Sequence, residues 1–230
     1  MCTRDIEIEL TAQGYHCIVG IDEVGAGTLS GPVTICACFI PLHVDIPGIK
    51  DSKQLSPNRR NILFHKLTSH PDVKYAIVHI DNNEIDRINI LQARFKGFYE
   101  SFCKLQSSLT SQISIVLIDG DKTPPQFNQS QVQVKTIIKG DCKVTCIGAA
   151  SIIAKVTRDR MMIEYDNQYP GYGFAQNMGY YSVAHINALK KIGPSLIHRR
   201  TFKGVLQDGF ITHSSPSQNV TNTNPVLKAL

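Results

Sequence analysis

The chain has 230 residues, a formal net charge of +5 and 42% hydrophobic residues, which is enough for one domain with a substantial core. Its longest apolar stretches, of roughly ten residues, are too short to cross a bilayer, and its acidic amino-terminal segment does not resemble a secretory signal. The seven cysteines form no Cys-x-x-Cys pair, which argues against a zinc site or a disulfide framework and predicts reduced thiols in a cytoplasmic protein.

Basic residues are concentrated in the second half of the chain. Residues 119–230 contain 13 Lys and Arg against 7 Asp and Glu, whereas residues 1–118 contain 11 against 12. A basic half beside an acidic pocket favours a polyanionic partner. An excess this modest is equally consistent with ordinary surface charge.

The predicted elements alternate between strands and helices. Five strands are predicted from short β-rich runs bounded by polar or turn residues, at 17–22, 33–40, 75–80, 113–119 and 132–138. Helices are predicted from capping residues and apolar spacing, at 57–67, 84–105 and 143–165 and after Ser182. This order predicts an α/β domain with helices layered on a mixed sheet. Because the composition becomes polar after residue 203, we expect a domain at 14–205 and a flexible tail at 206–230.

Two adjacent carboxylates, Asp22 and Glu23, follow the apolar run 17–21 at the end of the first predicted strand, and a loop of small residues comes next. Carboxylates at a strand end repel one another and resist burial, and a divalent cation that prefers oxygen ligands compensates for both effects. The pair by itself is equally consistent with a surface turn that carries two solvated acids.

Two more predicted strands lead into aspartates. Asp119-Gly120 follows the fourth strand, where Asp-Gly is also typical of a simple turn, and Asp141 follows the fifth, where it also suits the N-cap of the next helix. Strands of one sheet bring their ends together, so we expect the acidic side chains to converge. The predicted cluster is Asp22, Glu23, Asp119 and Asp141. Such a cluster requires cations, and two Mg²⁺ or Mn²⁺ ions would suit it and could activate water for phosphodiester hydrolysis.

A series of longer motifs runs along the chain. They are Gly20-Ile21-Asp22-Glu23-Val24-Gly25, Gly31-Pro32-Val33, Asp51-Ser52-Lys53, Glu84-Ile85-Asp86, Leu117-Ile118-Asp119-Gly120, Lys139-Gly140-Asp141, the run from Ala149 to Asp159, Tyr169-Pro170-Gly171-Tyr172-Gly173-Phe174, Gly179-Tyr180 and His198-Arg199-Arg200. In these motifs, over residues 20–202, the chain resembles the ribonuclease HII family, the type 2 ribonucleases H. The resemblance implies a ribonuclease H-like fold, with a mixed five-stranded sheet flanked by helices and a carboxy-terminal helical extension.

The resemblance also implies an activity. The family hydrolyses the RNA strand of RNA–DNA hybrids and nicks on the 5′ side of a single ribonucleotide in duplex DNA, which leaves 3′-hydroxyl and 5′-phosphate ends. Its cofactor is Mg²⁺ or Mn²⁺. Its catalytic and metal-binding acids fall on Asp22, Glu23, Asp119 and Asp141. We therefore expect hybrids and ribonucleotide-containing duplex DNA as partners, no membrane, and a monomer.

The family's substrate contacts are matched only in part. They fall on Gly25, Ala26, Gly27, Lys53 and Tyr180. In the family a Gly-Arg-Gly loop follows the Asp-Glu pair; its backbone reads the ribose 2′-hydroxyl and its Arg contacts phosphate. Here Ala26 replaces that Arg, Thr28 replaces a usual Pro, and Met178 replaces a usual Lys. One charge-assisted contact of roughly 1.5–3 kcal/mol is therefore missing. Tyr180 matches a tyrosine that stacks on the ribose, while Lys53 on sequence alone is also consistent with a solvated lysine.

These departures leave several functions open. The first is an active nuclease with weakened or altered substrate binding, and the second is a hybrid-binding protein of the same fold with weakened catalysis. The third is a nuclease that prefers long hybrids to single ribonucleotides. A doubly wound nucleotide-binding enzyme is disfavoured, because no Gly-x-Gly-x-x-Gly or phosphate-loop lysine motif follows the first strand.

Other charged residues have more than one interpretation. We expect Lys155 and Arg158 either to face phosphate or to pair with nearby acids, with structural pairing for at least one of them. Arg199 is expected to hold the carboxy-terminal segment or to contact nucleic acid. His185 and His198 are expected to be structural, since a mechanism with two metal ions needs no separate base.

Overall fold

A computed structural model describes residues 1–206 and contains one mixed sheet of five strands in that region. The strands are β1 Ile18–Val24, β2 Val33–Phe39, β3 Lys74–Ile80, β4 Ile115–Asp119 and β5 Gln133–Ile137. Their order across the sheet is β3-β2-β1-β4-β5, with β1, β4 and β5 parallel and β2 antiparallel to both of its neighbours. The five predicted strands are all present. β1, however, continues past its predicted end at residue 22, so that Glu23 also lies within the strand and not in a turn after it.

Eight α-helices surround the sheet in the described region. They are α1 Asp5–Ala12, α2 Pro57–Ser69, α3 Asn82–Ile88, α4 Ile90–Ser108, α5 Gly140–Lys143, α6 Thr145–Gln168, α7 Phe174–Asn177 and α8 Val183–Ile192, with two short 3₁₀ helices at Ser52–Gln54 and Pro125–Gln129. Ser56 caps α2 and Ser182 caps α8, as the capping residues predict. None of the described helices is long and apolar enough to span a membrane.

The prediction of one helix at 84–105 was wrong, because the chain forms two helices that meet at Asn89. Asn89 has a φ of 67° and a ψ of 164°, a conformation outside the helical region that interrupts the helical hydrogen bonds. Its side chain accepts hydrogen bonds from the backbone N–H groups of Leu91 and Gln92, at 3.0 and 3.1 Å. Asn89 thus ends α3 and caps α4, while the apolar stripe continues across the break.

Helix α6 lies against β1 and β2, and α4 covers the opposite face of the sheet. The close approach of α6 depends on Gly20 in β1, where an added Cβ would overlap the backbone of Cys146 and Ile147. The small residues Ala149, Ala150 and Ala154 of α6 are fully buried in the same layer. The sheet therefore has one core on each face.

The ends of the domain are formed by helices from both termini. Helix α1 packs on the α6 side, where Leu10 is buried and Thr3 pairs with Val144. This helix lies before residue 14, where the domain was expected to begin, and the bounds 14–205 stay a prediction. Helices α7 and α8 pack on the far part of α6 as the expected carboxy-terminal helical extension. The tail predicted at 206–230 lies, apart from Leu206, outside the described residues. All seven cysteines are free, although Cys103 is exposed.

Candidate active site

The parallel strands bring the predicted acids to one edge of the sheet. In the register of β1 and β4, Ile21 lies beside Ile118, so Asp22 follows on one strand where Asp119 follows on the other. Asp119 in turn lies beside Ile137 of β5, which leads into Asp141 in α5. Because parallel strands share their carboxyl-terminal edge, the acids meet there.

Alternation along β1 places its two acids on opposite faces. Asp22 faces α6 and is 5% exposed, and Ser151 of α6 hydrogen-bonds its carboxylate. Burial raises the pKa of Asp22 well above its usual range, and the charges of Glu23, Asp119 and Asp141 raise it further, against the Ser151 hydrogen bond. Asp22 is thus a buried carboxylate among like charges.

Glu23 faces α4, where Arg94 Nη2 lies 2.8 Å from its Oε1. Burial raises the pKa of Glu23, and the ion pair and hydrogen bond with Arg94 oppose that shift. The second oxygen, Oε2, is buried and has no hydrogen-bond partner in the described structure. A buried carboxylate oxygen without a partner is costly. Its position beside Asp22 and Asp119 fits a divalent cation, which prefers such oxygen ligands.

Asp119 and Asp141 are joined through the start of α5. Asp119 Oδ1 accepts a hydrogen bond of 2.6 Å from the backbone N–H of Gly140. An added Cβ at Gly140 would lie 2.7 Å from Ile147 Cδ1, so a larger residue here would require the Ile147 side chain to shift. Burial, Asp119 and Asp51 all raise the pKa of Asp141. The N-cap alternative for Asp141 was wrong, because Lys139 occupies that position of α5 and Val144 that of α6.

Several neighbours of these acids were not predicted. One ligand atom each of Asp51, Asp141 and Cys142 lies within 4.8 Å of the others. Asp51 belongs to the Asp51-Ser52-Lys53 motif, of which only the lysine was predicted to be a site residue. Arg94 lies in no motif, and nothing in the sequence distinguishes it from the other polar residues of its helix. Cys142 offers a soft sulfur that Mg²⁺ does not favour, so the carboxylates are the candidate ligands.

Lys53 and Tyr180 lie at the rim of the carboxylate cluster. Partial burial works to lower the pKa of Lys53, but the charges of Asp22, Asp51 and Asp141 outweigh it and raise that pKa. Tyr180 is 37% exposed, and Lys155 Nζ lies 5.9 Å from its ring centroid. Both residues are therefore available to a ligand that approaches the acids.

The loop after β1 contains the three remaining predicted contacts. Gly25 is buried, Ala26 is half-buried and Gly27 is exposed, directly beyond the two acids of β1. The carbonyl oxygens of Gly25 and Ala26 accept hydrogen bonds from Arg199. Arg199 therefore holds this loop, and its charged group is not available to nucleic acid. Of the two basic residues of α6 considered in the sequence, Lys155 pairs with Asp159 at 2.8 Å, whereas Arg158 makes no ion pair within residues 1–206.

His185 and His198 form a buried pair, with their Nε2 atoms 3.0 Å apart. His185 Nδ1 donates to the Tyr180 carbonyl, so its neutral ring accepts from His198 at Nε2. His198 Nδ1 accepts from the backbone N–H of Ser195. Burial lowers the pKa of both rings, that of His198 to about 3. Both rings contact Tyr172 and Phe174, which places that aromatic motif in the core.

Known proteins with this fold and sequence pattern identify the family. A model of the family described as Ribonuclease HII matches residues 19–205. The chain belongs to the ribonuclease HII family. It is 46% identical to ribonuclease HII of Geobacter sulfurreducens over 201 residues, and this match covers 87% of this chain and 88% of the relative. It is 42% identical over 199 residues to ribonuclease HII of Listeria monocytogenes, which covers 86% and 72%.

Solved structures agree on the fold. Ribonuclease H2 of Pyrococcus horikoshii superposes with a TM-score of 0.65 at 30% identity, over 82% of this chain and 95% of that one. Ribonuclease HII of Archaeoglobus fulgidus, in a complex with PCNA, has a TM-score of 0.68 at 23% identity, over 81% and 95%. The ribonuclease H-like fold expected from the motifs is thus confirmed. The chain is an endoribonuclease of ribonuclease H type 2, from a family that is metal-dependent and acts on RNA–DNA hybrids.

Proposed function

We propose that this enzyme hydrolyses the RNA strand of hybrids and also nicks duplex DNA on the 5′ side of a single ribonucleotide, which leaves 3′-hydroxyl and 5′-phosphate ends. Asp22, Glu23, Asp119 and Asp141 are its proposed catalytic and metal-binding residues. The observation that carries the proposal is the buried Glu23 Oε2 without a partner, among acids whose pKa values burial and mutual repulsion raise. Such a site is poorly stable without a cation.

In this proposal the carboxylates hold the metal ions, and neighbouring groups hold the carboxylates in position. Two Mg²⁺ or Mn²⁺ ions bound there would activate the attacking water and neutralise charge on the scissile phosphate. Ser151 orients Asp22, Arg94 orients Glu23, and the Gly140 N–H orients Asp119, so these three side chains are held before substrate arrives. Lys53 remains charged at neutral pH beside the acids, where it can contact the phosphate backbone.

The substrate is proposed to lie across the loop after β1. The backbone of Gly25, Ala26 and Gly27 is the proposed reader of the ribose 2′-hydroxyl, and Tyr180 the proposed platform for the sugar at the junction. Ala26 and Met178 leave this groove with fewer cations than the family usually has, so we expect weakened hybrid binding with catalysis retained. A monomer in the cytoplasm stays the expectation.

A nicking assay tests the proposal. The purified protein is incubated with a duplex that contains one ribonucleotide, with an all-DNA duplex of the same sequence and with a long hybrid, in Mg²⁺, in Mn²⁺ and in EDTA. We expect a 3′-hydroxyl nick 5′ of the ribonucleotide in either metal, with no product in EDTA or from DNA. Binding without cleavage in both metals would favour the hybrid-binding alternative. Cleavage of the long hybrid alone would favour a nuclease that prefers long hybrids to single ribonucleotides.

A further inference from the structure

Two arginines are fully buried beside the substrate loop without an acidic partner. Arg158 on α6 and Arg199 near the carboxy terminus are each 0% exposed. Neither forms an ion pair with a carboxylate in the described part of the chain. A buried charge without a counter-ion is costly unless hydrogen bonds satisfy all of its donors. The hydrogen-bond partners of the two guanidinium groups therefore indicate the role of these arginines.

Arg199 binds the loop by its carbonyl oxygens. Its Nη2 donates to the Gly25 carbonyl at 2.6 Å and its Nη1 to the Ala26 carbonyl at 2.8 Å. Its Nε donates to the Gly31 carbonyl at 3.1 Å, so the same group holds both ends of the loop. The backbone N–H of Arg199 donates to the Leu29 carbonyl, which fixes the segment that carries it.

Arg158 holds the rest of the loop and joins it to the segment before Tyr180. Its Nη2 donates to the Ser30 carbonyl at 3.0 Å and to Thr28 Oγ1 at 2.9 Å, and its Nε donates to the Pro32 carbonyl at 2.9 Å. Its Nη1 donates to the carbonyl of Met178 at 2.8 Å. The two proposed ribose contacts, the loop and the tyrosine, thus share one buried anchor.

Thr28 closes the loop on itself. Its hydroxyl lies 3.0 Å from the carbonyl oxygens of both Gly25 and Ser30, and it accepts from Arg158. A proline at this position would have no such hydroxyl. Gly25 has a φ of 88°, and a Cβ there would overlap the Arg158 side chain, so the guanidinium stem lies directly beneath the loop.

Peptide geometry decides where the N–H groups of the loop point. No peptide bond in the described chain is cis, and in a trans peptide the C=O and the following N–H point in opposite directions. Since the carbonyl oxygens of Gly25 and Ala26 face the buried Arg199, the N–H groups of Ala26 and Gly27 face away from it. Neither N–H has an acceptor within residues 1–206, and Gly27 is exposed with open space around its Cα.

We propose that Arg158 and Arg199 are positioning residues for ribose selection: they hold the loop by its carbonyl oxygens so that the N–H groups of Ala26 and Gly27 face the substrate and distinguish a ribonucleotide from a deoxyribonucleotide. This inference rests on the proposed function, which places the ribose at this loop. In a disordered loop the same N–H groups would bind water in place of the ribose, so specificity depends on residues that never touch substrate.

The test measures how strongly the protein prefers a duplex with one ribonucleotide to an all-DNA duplex, and not its catalytic activity. Fluorescence anisotropy gives the Kd of a duplex with one ribonucleotide and of the same all-DNA duplex, with Ca²⁺ in place of Mg²⁺ and a gel to confirm that both stay intact. The variants are Arg199→Met, Arg199→Lys and Thr28→Val. The preference is the Kd of the all-DNA duplex divided by the Kd of the ribonucleotide duplex. We expect this ratio to fall about fivefold for each N–H hydrogen bond to the ribose that Arg199→Met abolishes. Arg199→Lys should restore it in part, and Thr28→Val should lower it with a smaller decrease in Tm than Arg199→Met.

The control is Leu189→Ala, which removes a buried side chain from the same carboxy-terminal core and breaks none of the hydrogen bonds that hold the loop. It should lower the Tm but leave the Kd ratio at the wild-type value. An unchanged ratio in folded Arg199→Met, or in Thr28→Val should the first variant not fold, would overturn the inference. Failure of the proposed function is distinct, since the wild-type enzyme would then show no preference of its own and would not nick the ribonucleotide duplex.

Discussion

Replacement of Asp119 by asparagine separates the function of the carboxylate cluster from its cost to stability. Asn keeps the oxygen that accepts from Gly140 and removes one negative charge. Neighbouring strands lie about 4.8 Å apart, so the charges of Asp22 and Asp119 are about 6 Å apart. At an effective dielectric constant of about 20, their repulsion is worth about 2–3 kcal/mol. A neutral hydrogen bond to Gly140 is weaker by about 1 kcal/mol.

The metal-free Asp119→Asn protein should therefore be more stable than the metal-free wild type, by about 1–2 kcal/mol. In a domain of this size that raises the Tm by about 2–8 °C. The same change removes a ligand charge, so the rise in Tm that Mn²⁺ or Mg²⁺ produces should shrink, and kcat should fall by orders of magnitude while hybrid binding is mostly kept.

Differential scanning calorimetry in EDTA and across a Mn²⁺ titration measures both effects, with the nicking assay alongside. Asp121→Asn is the matched control, since it removes one exposed carboxylate two positions along the chain. It should change neither the Tm nor kcat appreciably. A lower metal-free Tm in Asp119→Asn would refute the repulsion argument, and wild-type turnover would refute the assignment of Asp119 to the active site.

Three further predictions concern the groove, the histidine pair and the sheet. Ala26→Arg should bind hybrid more tightly and increase the slope of log K against log salt by about 0.9, measured by anisotropy at several salt concentrations; no gain would show that the missing cation is unimportant. The pKa of His198 is about 3 when folded, while an unfolded histidine binds a proton below about pH 6.5, so stability falls as pH decreases. His198→Gln should remove about 2 kcal/mol of the loss between pH 7 and pH 5 in urea unfolding, and identical pH profiles would contradict the buried pair. Gly20→Ala should lower stability by at least about 3 kcal/mol, a Tm decrease of about 6–12 °C, because its Cβ meets the α6 backbone; a change below 1 °C would mean that the helix can move away.

The sequence alone determined the strands and the acids that follow them. Alternation and β-rich runs are local properties, and a sheet necessarily gathers the ends of its parallel strands. For this reason Asp22, Asp119 and Asp141 could be expected to converge before any contact was known. The break at Asn89 is also local in origin, but one residue with a positive φ inside an amphipathic pattern leaves the apolar spacing intact and so escapes detection.

Only the tertiary structure decided which side chains support those acids. Arg94 reaches Glu23 because α4 covers the face of the sheet to which Glu23 points, and Ser151 reaches Asp22 because α6 covers the other. Arg199 holds the carbonyl of Ala26 across 173 positions of sequence. No local pattern encodes such a contact, because it depends on where the carboxy-terminal segment passes over the end of the sheet. Residue type and spacing specify the chemistry available at this site, whereas packing between distant segments decides how it is oriented.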